Sequence, residues 1–363
     1  MNENAPIALA QSRFSMRVAT RVTPFVAVAA LVVLAALIAL PAFAPRSILQ
    51  HAVLALFLIC LAQGWNLLAG YAGLVSVGQQ AFVGLGGYIL FALVSLGGVD
   101  PLIAALLAGI ACAIVAGPIG LVVFRLRGPY FAVVTWVVAE VLRLSFAQWK
   151  ALGGGTGASL PKSATSGMIG VEWASATFDV RGPAAREIVI YWAALALAAL
   201  TVAGVYALLR SRLGLSLFAV RDNEGAAESV GIGATPVKFR IYVIAAGIAG
   251  FAGALIFLQK GRISPDAAFS VIDWTAYVIF IVVIGGIRTI EGPILGSVLF
   301  VIAQAAFADY GVWYLMALGA FGIAMMLVAP GGLWGFAKID LFPIRRRLIV
   351  QSPEATKGGG RHA

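Results

Sequence analysis

Long apolar runs separated by short polar stretches dominate the chain. The runs lie at 24–43, 48–69, 74–96, 101–124, 129–147, 188–209, 241–259, 271–287, 293–309 and 312–329. A run of about 20 apolar residues crosses the hydrocarbon core of a bilayer as an α-helix. The strands of a membrane barrel would instead be short and would alternate apolar with polar residues. The pattern therefore predicts an all-α polytopic membrane protein with about ten transmembrane helices.

The stretch Gly70–Tyr88, which includes much of the third run, contains six glycines, a serine and two adjacent glutamines, Gln79 and Gln80. Each glycine weakens a helix by about 1 kcal/mol relative to alanine. Backbone groups inside a bilayer also need internal partners. The stretch therefore predicts one discontinuous, glycine-rich transmembrane segment that packs inside protein or lines a cavity.

This segment is also a candidate substrate pathway. The backbone groups freed at a broken helix can bind charged or polar parts of a substrate. The glycines alone are equally compatible with close helix packing, whereas buried amides need hydrogen-bond partners. The candidate pathway residues are Ser76, Gly78, Gln79, Gln80, Gly84, Gly86, Gly87 and Tyr88. A second small-residue seam, Ala246, Gly250 and Ala254, predicts a helix–helix contact.

The positions of the basic residues predict the topology. With the N-terminus in the cytoplasm, most of the 25 Lys and Arg residues fall in cytoplasmic segments, as the positive-inside rule requires. Both termini are then cytoplasmic. The predicted organisation is a cytoplasmic N-terminal segment (1–23), a transmembrane domain (24–337) with an external loop (150–187) and a cytoplasmic loop (210–240), and a cytoplasmic tail (338–363).

The first apolar run has two interpretations. Arginines precede it, and Ala42-Phe43-Ala44 has the small-x-small pattern of a signal-peptide cleavage site. The run is nevertheless long enough to span the membrane, and Pro45 follows the possible cut, where its fixed φ suits a protease poorly. We therefore expect a retained first helix.

Composition excludes several classes of protein. The chain is 61% hydrophobic and 11% charged, against about 25% charged in soluble proteins. The net charge of +10 is not gathered into a basic cluster interleaved with aromatics, so no nucleic-acid partner is expected. Cys60 and Cys112 lie in apolar runs and read as buried small side chains. Phosphate-loop, nucleophile-elbow and zinc-protease motifs are absent from the sequence, so we expect neither an enzyme nor a bound cofactor or metal.

Two further features carry charged residues. The cytoplasmic stretch Arg221–Gly231 predicts a short helix, with Asp222 or Asn223 as N-cap and a glycine, Gly231 or Gly233, at its end. It could dock a cytoplasmic partner or be an ordinary solvated loop. In the fifth run, Glu140 and Arg143 are three residues apart and can pair on one helix face, as a structural ion pair or as a substrate contact.

Five blocks, in order, resemble the LivM-type permeases of branched-chain amino acid ABC transporters. They are Gly70–Tyr88, Leu126–Thr135 followed by Glu140, Leu152–Gly157, Arg221–Gly231 and Ile284–Gly296. Gln80 is a mild departure from the family pattern, and Arg288 stands where a glycine is usual. The resemblance covers about 45–330 and is more specific for the family than for the substrate, since urea and short-amide permeases look much the same.

The resemblance implies a multi-pass subunit of the inner membrane, embedded in lipid. Its expected partners are a second, homologous permease, two cytoplasmic ATP-binding subunits and a periplasmic substrate-binding protein. ATP is then bound by the partner subunits and not by this chain. The implied ATPase-coupling residues are Arg221, Asp222, Glu224, Ala226, Ala227 and Gly231. The alternatives are import of urea or a short amide, a stand-alone ion-coupled carrier or channel, and, least of all, a membrane enzyme.

Overall fold

The computed structural model describes residues 14–17, 23–126, 128–307, 311–329, 331–337, 341–342 and 347–350. Most of the predicted N-terminal segment (1–23) and tail (338–363) therefore lies outside the described residues. The described chain is almost entirely helical, which confirms the predicted all-α class. Short strand pairs are the exception.

The first half of the described chain contains one strand and the first five helices. They are β1 (Phe14–Arg17), α1 (Thr23–Phe43), α2 (Arg46–Asn66), α3 (Gln79–Ser95), α4 (Pro101–Val123) and α5 (Pro129–Ala147). The region around the predicted external loop follows, with 3₁₀ turns at Lys150–Leu152 and Gly154–Thr156, then β2 (Ala158–Ser159), α6 (Lys162–Ser166), α7 (Val171–Phe178) and α8 (Gly182–Arg210).

The second half begins on the predicted cytoplasmic side. Its elements are α9 (Arg212–Asp222), α10 (Glu224–Ser229), α11 (Ala234–Lys260), β3 (Arg262–Ile263), α12 (Pro265–Ala268), α13 (Tyr277–Gly285), α14 (Glu291–Phe307), α15 (Val312–Val328), α16 (Gly332–Ala337) and β4 (Arg347–Val350). Two wider, π-helical turns, Leu67–Tyr71 after α2 and Ile272–Ala276 before α13, interrupt the regular helices.

Several helices begin where local sequence favours a start. Asp100 caps α4 by accepting a hydrogen bond from the Leu102 amide at 2.9 Å, and Pro101 occupies the first turn. Pro129 similarly stands at the start of α5. A capping carboxylate satisfies a free amide, and proline has no amide to leave unsatisfied. These signals place both helix starts within the predicted runs.

Among the described residues, seven helical segments are long and apolar enough to cross a membrane. They are Arg46–Tyr71, Pro101–Val123, Pro129–Ala147, Gly182–Arg210, Ala234–Lys260, Pro265–Gly285 and Gly319–Phe336. Three shorter apolar helices, Val28–Phe43, Gln79–Ser95 and Glu291–Phe307, match the remaining predicted runs. By length and composition the structure thus supports seven candidate spans, and the predicted number of about ten is not confirmed.

The discontinuity lies before α3 and not within it. After the π-helical turn, residues 72–78 are irregular, and α3 begins at Gln79 and continues unbroken to Ser95. Gly73 has a φ of +69°, a conformation that glycine adopts without strain. By contrast Gly84, Gly86 and Gly87 lie within the continuous helix, where packing offsets their low helix propensity.

Glycines allow α3, α4 and α11 to approach closely at the centre of the fold. A Cβ at Gly86 would overlap the backbone of Gly250, and a Cβ at Gly253 would overlap the backbone of Val83. Gly250 also packs on the buried side chain of Cys112. The predicted Ala246–Gly250–Ala254 contact is confirmed. Cys60 and Cys112 are both buried and free, as expected.

The two ends of the described chain meet. Strand β1 pairs antiparallel with β4, with Phe14 opposite Val350 and Arg17 opposite Arg347. The chain therefore returns to the side from which it started.

Candidate functional site

The start of α3 lies deep within the helical layer. The Gln79 side-chain amide donates a hydrogen bond to the Leu61 carbonyl at 2.9 Å, and the Trp65 indole donates to the Ser76 carbonyl at 2.8 Å. Leu61 precedes the end of the α2 span, at Tyr71, by roughly 15 Å of helix. The irregular residues 72–78 therefore run back alongside α2, so α3 is a half-helix that begins inside the layer.

A small cleft opens beside this half-helix. Its lining residues are Gly64, Leu68, Ser76, Gln79, Phe82, Tyr242, Ala245 and Ala249, from α2, α3 and α11 and their adjoining segments. The cavity volume is about 10 Å³, which is room for about one water molecule. Gln79 Oε1 is buried and has no hydrogen-bond partner among the described residues. The cleft is thus closed to anything larger than water, and a residue that lines it carries an unsatisfied acceptor.

Gln80 joins α3 to the second π-helical turn. Its side-chain oxygen accepts a hydrogen bond from the Thr275 hydroxyl, and its backbone amide donates to the same hydroxyl at 3.3 Å. Gln80 and Thr275 are both fully buried. The second π-helical turn is therefore tied to the start of α3 through one glutamine.

The remaining predicted pathway residues lie at packed contacts. The Val77 amide donates to the Thr135 hydroxyl at 3.1 Å, and Gly78 lies so close to Thr135 that a Cβ would overlap its carbonyl. Gly84 packs on Phe269, Gly87 on Phe257, and the Tyr88 ring stacks on Phe146 with centroids 4.4 Å apart. Ser76 and Gln79 reach the cleft, whereas Gln80, Gly84, Gly86, Gly87 and Tyr88 lie outside its lining. A role for any of them in transport stays a prediction.

Two amides of α2 that the sequence analysis did not single out hold the loop between α13 and α14. Asn66 donates to the Thr289 carbonyl at 2.8 Å and accepts from the Arg288 amide at 2.9 Å. Gln63 donates to the Ile290 carbonyl at 2.6 Å. Both residues are fully buried. Their polarity within an apolar run was the available signal, since a buried amide requires partners.

Arg288 adopts a left-handed backbone conformation, with φ +70°. This conformation is unfavourable for residues with a Cβ, which gives a physical reason for the glycine usual in the resembling family. Arg288→Gly is expected to raise the free energy of unfolding by roughly 1 kcal/mol by relieving this strain. Thermal unfolding of the detergent-solubilised protein measures the shift.

The control is Arg288→Ala, which removes the same charge and side chain but keeps a Cβ. It should leave the unfolding temperature near that of the wild type. An equal rise in both variants would assign the effect to the charge and not to backbone strain.

The stretch 221–231, which is predicted to be cytoplasmic, forms the predicted short helix, α10. Asn223 is the N-cap, with its side-chain oxygen accepting from the Ala226 amide at 3.0 Å, and Gly231 has a φ of +84° just beyond the end. Ala227 is buried against Val220 and Ala234. Besides Ala226, the exposed residues of α10 are Glu224, Gly225, Glu228 and Ser229. The helix therefore offers a low, small-residue surface.

Ion pairs involve the first residues of this stretch. Arg221 pairs with Asp222 at 2.6 Å, and Lys238 of α11 pairs with Glu224. Of the predicted coupling residues, Arg221, Asp222 and Glu224 therefore contact the fold itself. Ala226 remains open to solvent.

An aromatic contact joins α9, which is predicted to be cytoplasmic, to the π-helical turn that precedes residues 72–78. The Phe218 ring of α9 lies edge-on to Tyr71, with centroids 5.9 Å apart. The Arg221 guanidinium lies over Phe218 at 5.9 Å from its centroid, and the Arg221 side chain passes next to Gly73. A displacement of α9 would therefore shift Tyr71 and Gly73, at the start of the irregular residues 72–78. Sequence reasoning missed Phe218, because an aromatic in an amphipathic stretch carries no distinguishing signal.

Arg143 and Glu140 of α5 form an ion pair, and Arg143 also pairs with a third residue. Arg143 contacts Glu140 at 2.6 Å and also Asp266 of α12 at 2.7 Å. The carboxylate of Asp266 comes from a segment 123 residues away, so only the fold reveals it. The pair therefore links two elements.

The glycine-rich block Leu152–Gly157, in the predicted external loop, packs against the turn after α11. Ala158 pairs with Ile263 in the β2–β3 ladder. Gly153 and Gly157 both have a φ of +81°, and a Cβ at Gly157 would overlap the Ile263 carbonyl. The glycines thus permit a close approach that other residues would prevent.

The candidate spans of this helical bundle define a multi-pass membrane protein. Residues 47–330 match the family described as branched-chain amino acid transport system / permease component. The chain belongs to this family, and the resemblance predicted from its five blocks is confirmed.

Individual relatives agree with the family. The high-affinity branched-chain amino acid transport system permease protein LivM of Salmonella typhimurium is 32% identical over 310 residues, covering 82% of this chain and 72% of that protein. LivM of Escherichia coli is 32% identical, covering 84% and 73%. A probable branched-chain amino acid transport permease protein LivH of Methanocaldococcus jannaschii is 25% identical, covering 41% and 48%. No solved structure matches the chain significantly.

Proposed function

We propose that this chain is the transmembrane permease subunit of an ATP-driven ABC importer of branched-chain amino acids, located in the inner membrane. The observation that carries the proposal is the family match over 47–330. Two relatives support it. Each is 32% identical to this chain over the aligned region and is named as a permease of a branched-chain amino acid transport system.

The proposed assembly has four kinds of component. This chain pairs with a second, homologous permease; two cytoplasmic subunits bind and hydrolyse ATP; and a periplasmic protein delivers the substrate. The pairing is supported by the similarity of the chain to both a LivM and a LivH of one organism, Methanocaldococcus jannaschii. About ten crossings with both termini cytoplasmic fit the β1–β4 pairing, which brings the ends to one side.

The proposed mechanism uses the half-helix as the moving part. ATP-driven closure of the partner subunits pushes on α10 and α9, and the Phe218–Tyr71 contact passes this motion to residues 72–78. The cleft around Ser76 and Gln79 is too small for an amino acid in this structure, so a route there requires residues 72–79, at the start of the half-helix, to move. The unsatisfied Gln79 oxygen then accepts a hydrogen bond from the substrate.

Phe218→Ala is expected to uncouple ATP hydrolysis from transport. Loss of the ring removes the contact with Tyr71 but leaves the exposed face of α10 unchanged. Leucine taken up per ATP hydrolysed should fall by about tenfold, while ATP hydrolysis continues. Uptake and phosphate release measured together in proteoliposomes give this ratio.

Phe43→Ala, an exposed phenylalanine at the end of α1, serves as the control and should keep the wild-type ratio. A proportional loss of ATP hydrolysis and uptake in Phe218→Ala would instead indicate that the ATP-binding subunits no longer dock.

Reconstitution tests the function itself. Proteoliposomes containing both permeases, the ATP-binding subunits and the binding protein should accumulate leucine, isoleucine or valine only when ATP is present. Uptake of urea or acetamide in place of leucine would establish the alternative substrate class. Transport by the purified chain alone, without ATP, would establish a stand-alone carrier.

A further inference from the structure

Lys260 and Asp273 carry opposite charges and lie on neighbouring spans, outside the lining of the cleft described above. Lys260 is the last residue of α11. The chain then turns and begins a 21-residue span at Pro265, in which Asp273 belongs to the π-helical turn Ile272–Ala276. In the predicted topology both lie towards the outer surface.

The Lys260 ammonium is held by aromatic rings. It lies 4.8 Å from the centroid of Trp274 and 5.4 Å from that of Phe257. The Trp274 indole is fixed in turn by a hydrogen bond to the Ala267 carbonyl at 2.8 Å. Aromatic faces attract a cation without neutralising it. Lys260 is exposed and forms no ion pair in the described part of the chain, so its charge remains available.

Asp273 is a partly buried carboxylate with an equally open charge. Its backbone amide donates to the Ser270 hydroxyl at 3.2 Å, but within the described residues its carboxylate has no hydrogen bond or ion pair. Trp274, the next residue, carries the ring over which the Lys260 ammonium lies, so the two charges are close together. Carboxylates within membrane spans are unfavourable against lipid and usually face a partner or a water-filled route.

The position of Asp273 is set by the second π-helical turn. Such turns inside helices often occur at functional sites. Thr275, two residues along, is hydrogen-bonded to Gln80 on the inner side of the turn. On the other side Ile272 and Ala276 are exposed, so the described part of the chain leaves this face uncovered.

We propose that Lys260 and Asp273 form an outer recognition site for a zwitterionic amino acid. The Lys260 ammonium binds the carboxylate of the substrate, and the Asp273 carboxylate binds its ammonium group. The rings of Trp274 and Tyr277 provide neighbouring apolar surface. The inference rests on the proposed function and sharpens it, because a neutral substrate such as urea needs neither charge.

The experiment uses the complete reconstituted complex with leucine as the probe. Asp273→Asn and Lys260→Gln each remove one charge at nearly constant shape. The matched controls are Asp179→Asn and Arg262→Gln, two charged residues of the same predicted outer side, both exposed. Initial uptake is measured against the concentration of leucine-loaded binding protein.

Each test variant should lower the maximal uptake rate about tenfold or more, since it removes a charge-assisted contact to the substrate. The KM for loaded binding protein should stay within about twofold of the wild type, because docking of that protein is unchanged. Both controls should retain the wild-type maximal rate.

Three results would overturn the inference. Wild-type maximal rates in both test variants would show that neither charge contacts the substrate. A raised KM with an unchanged maximal rate would assign the charges to docking of the binding protein. If Asp273→Asn fails to fold, Lys260→Gln decides on its own, because its side chain is exposed. A wild-type complex that transports urea and not leucine would instead remove the proposed function, and the inference with it.

Discussion

Ala226→Tyr is expected to abolish ATP-driven uptake while leaving the permease folded. Ala226 lies on the exposed face of α10, where small side chains keep the surface low. Its backbone amide donates to Asn223 and its carbonyl accepts from the Ser229 hydroxyl. A phenol ring there would hold a docking ATP-binding subunit away from the helix. Disruption at the centre of an interface typically lowers affinity by about 30-fold or more.

The measurements are leucine uptake and co-purification of the ATP-binding subunits. Both should fall together, while the unfolding temperature of the isolated permease is unchanged. Ser163→Tyr, on the exposed external helix α6, introduces the same ring on the opposite predicted side and should transport normally. Normal uptake by Ala226→Tyr would exclude α10 as the docking surface and return it to the alternative of a solvated loop.

Gly253→Leu is expected to destabilise the fold by about 3 kcal/mol or more. A Cβ at Gly253 would overlap the backbone of Val83, so the leucine can be accommodated only if α3 and α11 separate. Overpacking a rigid contact costs about 1–3 kcal/mol or more, out of a total stability of about 5–15 kcal/mol. The neighbouring Gly86–Gly250 contact would open as well, so a value at the upper end is expected. Size-exclusion profiles and thermal unfolding in detergent measure the loss.

The matched control is Gly204→Leu in α8. Gly204 is exposed and has open space where its Cβ would lie. Both substitutions add the same hydrophobic side chain to a membrane helix, so they affect insertion alike. Gly204→Leu should give a monodisperse, stable protein. Equal stability of the two variants would contradict the close crossing of α3 and α11.

Patterns read along the chain found the elements but not all of their bounds. Apolar runs identified every long helix, because crossing a bilayer requires length and hydrophobicity that are visible locally. The starts of α8 and α11 lie several residues before the runs 188–209 and 241–259, since polar first turns also adopt helical structure. Capping chemistry narrowed the N-cap to Asp222 or Asn223 and the end to Gly231 or Gly233, because a cap acts on its own backbone neighbours. The structure selects Asn223 and Gly231.

Contacts between distant segments were beyond the reach of pattern. Asp266 joins the Glu140–Arg143 pair, Asn66 holds the loop at Arg288, and Phe218 contacts Tyr71. Periodicity and spacing relate residues a few positions apart. They carry no information on which helix faces which.

The sequence by itself determined that this protein is an all-α, multi-pass membrane protein, that 70–88 contains a broken segment, and which permease family it resembles. Hydrophobic length, glycine content and motif order can be read along the chain, without knowledge of which segments contact each other. Only the tertiary structure decided that the break falls at 72–78, that α3 begins inside the helical layer, and that Lys260 and Asp273 come near each other. Those outcomes depend on which helices pack together, and packing is settled by the shape of surfaces that the folded chain alone brings into contact.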